Sequence, residues 1–260
     1  MKTIKVNGFE IKYFDGDIAE LPALRFQKFN KFTLLDAGIG ADLADFDVHL
    51  ERIIKYAKSS PEDTIREAQN LRQNVYLMLK DINPANMAFC ALVYSVNGEP
   101  FNDLTDSGIK ELYEKLNREL SDGFFKRLYK AVKKKIDEEL EIYFPGKFNS
   151  RKVNEYYVKI REKTLLYCES ILKGTDVSSK IEEINDYLTI FIKPLSFNGS
   201  ESAEVRHEKA FADLCFIISE RTNENPRTIT VLEFYNILDL IKKQSRYGRQ
   251  SNKNKRVISR

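Results

Sequence analysis

Chemistry in this chain would have to come from a narrow set of side chains: two histidines, three cysteines and 39 acids. Glu204 and His207 stand three residues apart, so one helical turn puts both on one face, as in the Glu-x-x-His pairs of di-iron helical bundles. Such a site takes two of these pairs plus further carboxylates. The other histidine, His49, has Phe46 three positions before it, so the second half of the site is missing. His207 is therefore expected on a solvated face of a charged helix. Asp103, Thr105, Ser107 and Gly108, with Glu114 at the twelfth place, imitate a calcium loop. Hydroxyls replace carboxylates at the third and fifth places, and Pro100 would break an entering helix, so an Asx or Ser/Thr cap on the helix that follows explains the same residues. Gly38-Ile39-Gly40 lacks the third glycine of a dinucleotide fingerprint, since position 43 is Leu, and it follows a helix instead of a strand. Cys90, Cys168 and Cys215 are odd in number and widely spaced among apolar neighbours, which reads as three buried thiols and not as a disulfide framework or zinc cluster. The sequence thus assigns no catalytic residue, no cofactor and no metal ligand, and the expectation is a protein that is not an enzyme.

The elements that would position any site are mostly helical. Asn7-Gly8 sits between two alternating runs, Ile4-Lys5-Val6 and Phe9-Glu10-Ile11, and a type I′ turn needs positive φ at both central residues. A two-residue loop there pairs Val6 with Phe9, Lys5 with Glu10 and Ile4 with Ile11, placing the apolar four on one face and the ion pair on the other. Helices follow at about 21–37, with Phe26, Phe29 and Phe32 on one side and Gly38 as stop, and at about 42–58. The next begins at Ser60-Pro61-Glu62-Asp63, with a core stripe of Ile65, Ala68, Leu71, Val75, Leu79 and Ile82. Asn83-Pro84 restarts a helix that ends near Asn97-Gly98. Further helices read at about 106–120, 122–144, 150–173, 178–193, 201–221 and 230–245, with Pro145-Gly146, Gly174 and Pro194 as breaks. The third of these carries Val153, Tyr156, Tyr157, Ile160, Tyr167 and Ile171 as an apolar stripe; the last opens on a Thr230/Glu233 capping box. The fold class is mainly α, with bundle-like helical lobes behind an N-terminal β-hairpin. The expected division is 1–98 for the hairpin and a first lobe, 99–245 for a second lobe, and 246–260 for a basic flexible tail.

Composition fits this reading, with 42% hydrophobic and 31% charged residues, enough apolar material for a core. No apolar leader opens the chain, and the longest apolar stretch, Ala85 to Val96, is far short of the roughly 20 residues that a membrane span needs. A protein of the cytoplasm, with no membrane partner, is expected. Net charge is only +3 but unevenly placed: eight basic residues and no acid lie from Lys242 on, leaving 34 basic against 39 acidic residues in 1–241. Lys126, Arg127, Lys130, Lys133, Lys134 and Lys135 also crowd one helix, but Asp137 to Glu141 follow at once and neutralise them locally.

The hairpin-then-helices opening over Ile4 to Val96, and the Val-Leu-Glu-Phe-Tyr helix within Thr228 to Lys243, resemble structural or assembly proteins of tailed bacteriophages, as found in tails, necks or tail-assembly chaperones. The resemblance implies a multi-copy interaction protein of the host cytoplasm and the virion, with other protein subunits as partners. Candidate partner-binding residues are Lys5 and Glu10 on the hairpin, whose edge can extend another chain's sheet, and Arg246, Arg249, Lys253, Lys255, Arg256 and Arg260 on the tail. The alternative is nucleic-acid binding through that basic tail.

Overall fold

The computed structural model describes residues 1–36, 43–148, 151–189, 195–197 and 199–258; the side chains at 43, 45, 122, 146, 151–154, 189 and 245–258 lie outside that description, as do the expected stops at Gly38 and Pro194 and the Gly38-Ile39-Gly40 run. The chain is mainly helical with one small antiparallel sheet, the class expected from the sequence. It divides into two compact units, neither of which is a continuous stretch: Met1–Thr33, Ala85–Tyr143 and Val205–Arg260 form the first, Leu34–Pro84 and Phe144–Glu204 the second.

The sheet belongs to the first unit. Strands β1 (Lys2–Val6) and β2 (Phe9–Tyr13) form the expected hairpin in the expected register, Val6 opposite Phe9, Lys5 opposite Glu10 and Ile4 opposite Ile11. Strands β3 (Val93–Val96) and β4 (Glu99–Pro100) form a second hairpin on the far side of β2, giving the order β1-β2-β3-β4. Both hairpins turn on Asn-Gly with positive φ at each residue (45° and 80° at Asn7-Gly8, 51° and 83° at Asn97-Gly98). The expected lobe boundary after residue 98 is therefore the tip of a hairpin within one unit. The helix expected from Pro84 to near Asn97-Gly98 stops at Ala91 as α4 (Pro84–Ala91 in chain order) and gives way to β3. A buried apolar run of this length suits helix and strand equally, and sheet pairing with β2 decides it.

Around the sheet lie α1 (Ala23–Leu35), α5 (Asp106–Asn117), α6 (Asp122–Tyr143), α10 (Ala203–Ser219) and α11 (Val231–Ile258). Phe26 and Phe29 of α1 are buried as their spacing requires, and Phe29 packs 5.8 Å from Tyr129 of α6. Tyr13 meets Phe89 edge-on at 5.2 Å, tying the sheet to α4. The start of α11 is laced to the segment before α1: Ala23 N–H donates to the Ile229 carbonyl at 2.9 Å, and Val231 N–H to the Leu21 carbonyl at 2.9 Å. The expected capping box forms, with Thr230 N–H on Glu233 at 2.9 Å and Glu233 N–H on Thr230 Oγ1 at 3.3 Å. Helix α11 then continues to Ile258, past the expected end near 245, so positions 246–258 are helix where a flexible tail was expected.

The second unit holds α2 (Leu43–Tyr56), α3 (Pro61–Lys80), α7 (Pro145–Phe148), α8 (Arg151–Lys173) and α9 (Ser178–Thr189). Ser60 precedes Pro61 in extended conformation, as its sequence motif requires, but its hydroxyl donates to the Asp63 carboxylate at 2.7 Å instead of capping a backbone N–H. The expected core stripe of α3 is corrected: Ile65, Ala68 and Leu79 are exposed, and the buried side chains are Glu62, Gln73, Asn74 and Leu77. Polar groups can occupy that face because they are paired, Gln73 on the Leu35 carbonyl and Glu62 on three neighbours.

Candidate interaction surfaces

Each group of residues singled out from the sequence can now be placed. Lys5 and Glu10 pair at 2.8 Å on the open face of the first hairpin, and the carboxylate raises the pKa of the Lys5 ammonium by hydrogen bond and charge. The two Asn-Gly turns lie side by side: Glu10 N–H donates to the Asn97 side chain at 2.7 Å, and Asn97 N–H to the Glu10 carbonyl at 2.8 Å. Since β3 occupies the inner edge of β2, the edge of the hairpin left open in the sheet is that of β1. Lys2 on it is drawn to Asp15 at 3.4 Å.

The calcium-like segment is a helix cap. Asp103 accepts from the N–H and hydroxyl of Thr105 at 3.0 and 2.6 Å, and Thr105 Oγ1 in turn accepts from Gly108 N–H at 3.1 Å, opening α5. A Cβ at Gly108 would stand 2.3 Å from Asp103 Cγ, which is why glycine belongs there. No group of three His, Cys, Asp or Glu side chains is placed to hold a metal among the described residues.

His207 is not on a fully solvated face. It is half-buried, its Nε2 lies 3.1 Å from the Gln27 carbonyl, and it lines a cleft of about 200 Å³ between α1, α10 and α11 with Phe26, Gln27, Phe211, Phe234 and Tyr235. Phe211 stacks on Phe234 at 5.7 Å, and burial pushes the Tyr235 phenol up to about 12. The lining is mostly apolar, with Gln27, Asn30 and His207 as its polar members, the composition of a cleft that takes an apolar group.

In the second unit, His49 Nδ1 meets Glu67 at 2.7 Å between α2 and α3, and its buried Nε2 has no partner among the described residues. The pairing orients an imidazole as a carboxylate does in a hydrolase triad, but its two members are eighteen residues apart and no spacing rule reveals it. Glu62, 1% exposed, accepts from Arg66 at 2.6 Å and Tyr156 OH at 3.0 Å, with Lys163 Nζ at 3.8 Å. The two cations and the phenol satisfy this carboxylate, and the cluster locks α8 against α3.

Tyr156 and Lys163 turn one side of α8 inward, so the opposite side faces out. There Val158 (62%), Leu165 (58%) and Leu172 (84%) are exposed, with Tyr157 (64%) beside them. Along the expected apolar stripe of this helix Tyr156 and Ile160 are half-buried, Tyr157, Tyr167 and Ile171 are exposed, and Val153 is outside the described side chains. Cys168 shares the outward side and is exposed, in contrast to the expectation of three buried thiols; Cys90 and Cys215 are buried.

Of the basic features, three of the six cations on α6 are paired: Lys133 with Asp137 at 2.6 Å, Lys134 with Glu138 at 3.7 Å and Lys135 with Asp15 at 3.1 Å. At the C-terminal end, Arg246, Arg249, Lys253, Lys255 and Arg256 fall on the helical backbone of α11, with side chains outside the description, and Arg260 lies outside the described residues. No helix among the described residues is long and apolar enough to cross a membrane. No family model, no curated protein and no solved structure matches this chain.

Proposed function

We infer that this chain is a non-enzymatic interaction protein that works by assembling with other protein subunits. The outward side of α8 carries the reading: Val158, Leu165 and Leu172, each more than half-exposed, stand seven residues apart in one row along the helix, with exposed Tyr157 beside it. Single exposed apolar residues are ordinary, whereas a contiguous run marks a surface that another protein covers. The open edge of β1 and the aromatic cleft beside His207 add a strand edge and a socket of the kinds that partner chains use. The assembly we propose is of the tailed-bacteriophage kind, a tail or neck component or a tail-assembly factor in the host cytoplasm and virion, supported by the hairpin-then-helices organisation. Cross-linking and mass spectrometry on natively purified protein tests this. Lys159 and Lys173, which flank the α8 face, are expected to join another polypeptide in fixed ratio. A monomer with no stoichiometric protein companion overturns it.

A second reading, nucleic-acid binding, is favoured by one observation. Lys242, Arg246, Arg249, Lys253 and Arg256 recur in the sequence at spacings of 4, 3, 4 and 3, and the backbone of α11 is helical through Ile258. Five phosphate contacts give a slope of log K against log salt near −4.5 on duplex DNA. Binding that ignores salt, or that survives deletion of 246–260, removes this reading.

A further inference from the structure

We propose that the occupant of the outward α8 face is a second copy of this chain, docked antiparallel across a two-fold axis beside Leu165. The proposal rests on the interaction reading above and names its first contact. Val158 and Leu172 each stand seven residues, close to two helical turns, from Leu165, so the exposed row is symmetric about its centre. An antiparallel two-fold sets residue 165+n opposite residue 165−n of the second copy. Val158 then meets Leu172 at both ends and Leu165 meets its own counterpart, giving an apolar contact about 21 Å long.

The charges obey the same symmetry. Arg161 lies four residues before Leu165 and Glu169 four after it, so the two-fold brings Arg161 opposite Glu169 of the second copy, twice per dimer. Arg161 makes no ion pair among the described residues, and Glu169 pairs with Lys173 of its own helix at 2.8 Å, with Lys180 adding a longer-range attraction. A parallel pairing would instead set Arg161 against Arg161 and Glu169 against Glu169, so like charges select against it. The exposed thiol distinguishes the two arrangements as well. Antiparallel docking puts Cys168 opposite Glu162, whereas parallel docking would put it opposite itself.

The full-length protein tests this by sedimentation equilibrium from about 1 to about 200 µM. The wild type is expected to show a monomer–dimer equilibrium, and Leu165→Asp to raise the dimer Kd at least about tenfold. Arg161→Glu and Glu169→Arg are each expected to weaken the dimer about threefold or more, and the double exchange to recover it. Circular dichroism checks that each variant keeps its helix. In a Cys168→Ser background, oxidation with diamide, which takes two electrons and two protons from two thiols, is expected to cross-link Leu165→Cys and the Val158→Cys/Leu172→Cys pair, and to leave Val158→Cys alone uncoupled. Wild-type dimers indifferent to Leu165→Asp, or charge exchange without recovery, overturn the α8 contact and leave the interaction reading standing. A monomer that holds a different protein in fixed ratio does the same. A monomer with no companion overturns both.

Discussion

Substituting Arg25 by methionine removes a buried cation that three backbone segments share. Arg25 lies on α1, 6% exposed, and donates from Nη1 to the carbonyls of Ala91 at 3.1 Å and Val93 at 2.6 Å, and from Nη2 to that of Phe101. Its guanidinium sits 5.6 Å from the Phe14 ring centre. Burial draws the pKa down to about 10, so the group is charged at neutral pH, balanced by carbonyl dipoles at the end of α4 and along the second hairpin. A hydrogen bond from a charged donor contributes about 1.5–3 kcal/mol net of desolvation. Ala91 and Val93 are fully buried and lose that bond outright, while Phe101 is half-exposed and regains water. Two lost bonds cost about 3–6 kcal/mol, and burying the methionine in the vacated space returns about 1 kcal/mol, leaving a loss of about 2–5 kcal/mol. Against a total stability of about 5–15 kcal/mol the variant still folds, with a much lower urea midpoint.

Lysine at the same position keeps the charge but not the fork. One ammonium cannot reach three divergent carbonyls, so Arg25→Lys is expected to lose about 1–3 kcal/mol. Urea titration by circular dichroism measures both; the chain has 13 Tyr and no Trp, so tyrosine emission is the fluorescent probe. Hydrogen exchange locates the damage. The amides of Phe14, on the Leu92 carbonyl at 3.0 Å, and of Phe101, on the Tyr94 carbonyl at 2.8 Å, should exchange faster before the rest of the unit does. A methionine variant within about 1 kcal/mol of wild type, or one that loses stability with those amides unchanged, refutes the account of Arg25 as the latch between α4 and the hairpins.

Two further predictions concern α5. Gly108→Ala forces a Cβ against Asp103 and is expected to cost about 1 kcal/mol through loss of the cap. In an Asp103→Ala background the same change should cost less, with a coupling above about 0.5 kcal/mol in a double-mutant cycle; additive losses contradict the close approach. Asp106, at the start of α5, is held by Lys31 and Lys28. Burial opposes its charge, but these two cations prevail and its pKa lies below the ordinary carboxylate value. A depressed carboxylate contributes stability above its unfolded pKa and loses it as pH falls through the folded one. Lys31→Met removes the nearer cation, so the wild type should lose more stability than the variant between about pH 7 and about pH 3. Equal losses count against the ion cluster.

What the sequence disclosed depended on whether a local rule decided the structure. The first hairpin and the helix starts at Pro61, Asp106 and Val231 were legible because turn and cap chemistry is local. The second hairpin was missed although Val96-Asn97-Gly98-Glu99 carries the same turn residues, because β4 spans two residues, includes Pro100, and offers no alternating run. Pairing of His49 with Glu67, of Glu62 with Tyr156, and of His207 with the Gln27 carbonyl joins residues far apart in the chain, and no periodicity reports it.

The misread face of α3 has a physical cause that bears on the proposed interface. Periodicity shows that a helix has two sides without showing which turns inward. On α3 the polar side wins because Glu62 is paired there, and its partners Tyr156 and Lys163 lie roughly 160–180° around α8 from Leu165. Satisfying one buried carboxylate thus sets the rotation of α8 and turns Val158, Leu165 and Leu172 outward. Glu62→Leu removes that anchor. Arg66 keeps Asp63 at 3.0 Å, so the destabilisation should fall near the lower end of the about 3–5 kcal/mol expected for breaking a buried ion pair. The anchored rotation then has no advantage over burial of the apolar row, and α8 is expected to turn its outward side in. Cys168, exposed in the wild type, reports this directly: its reaction with a thiol reagent should slow in the folded variant. Unchanged Cys168 reactivity in a destabilised but folded Glu62→Leu protein would show that something other than the Glu62 cluster sets the outward face of α8.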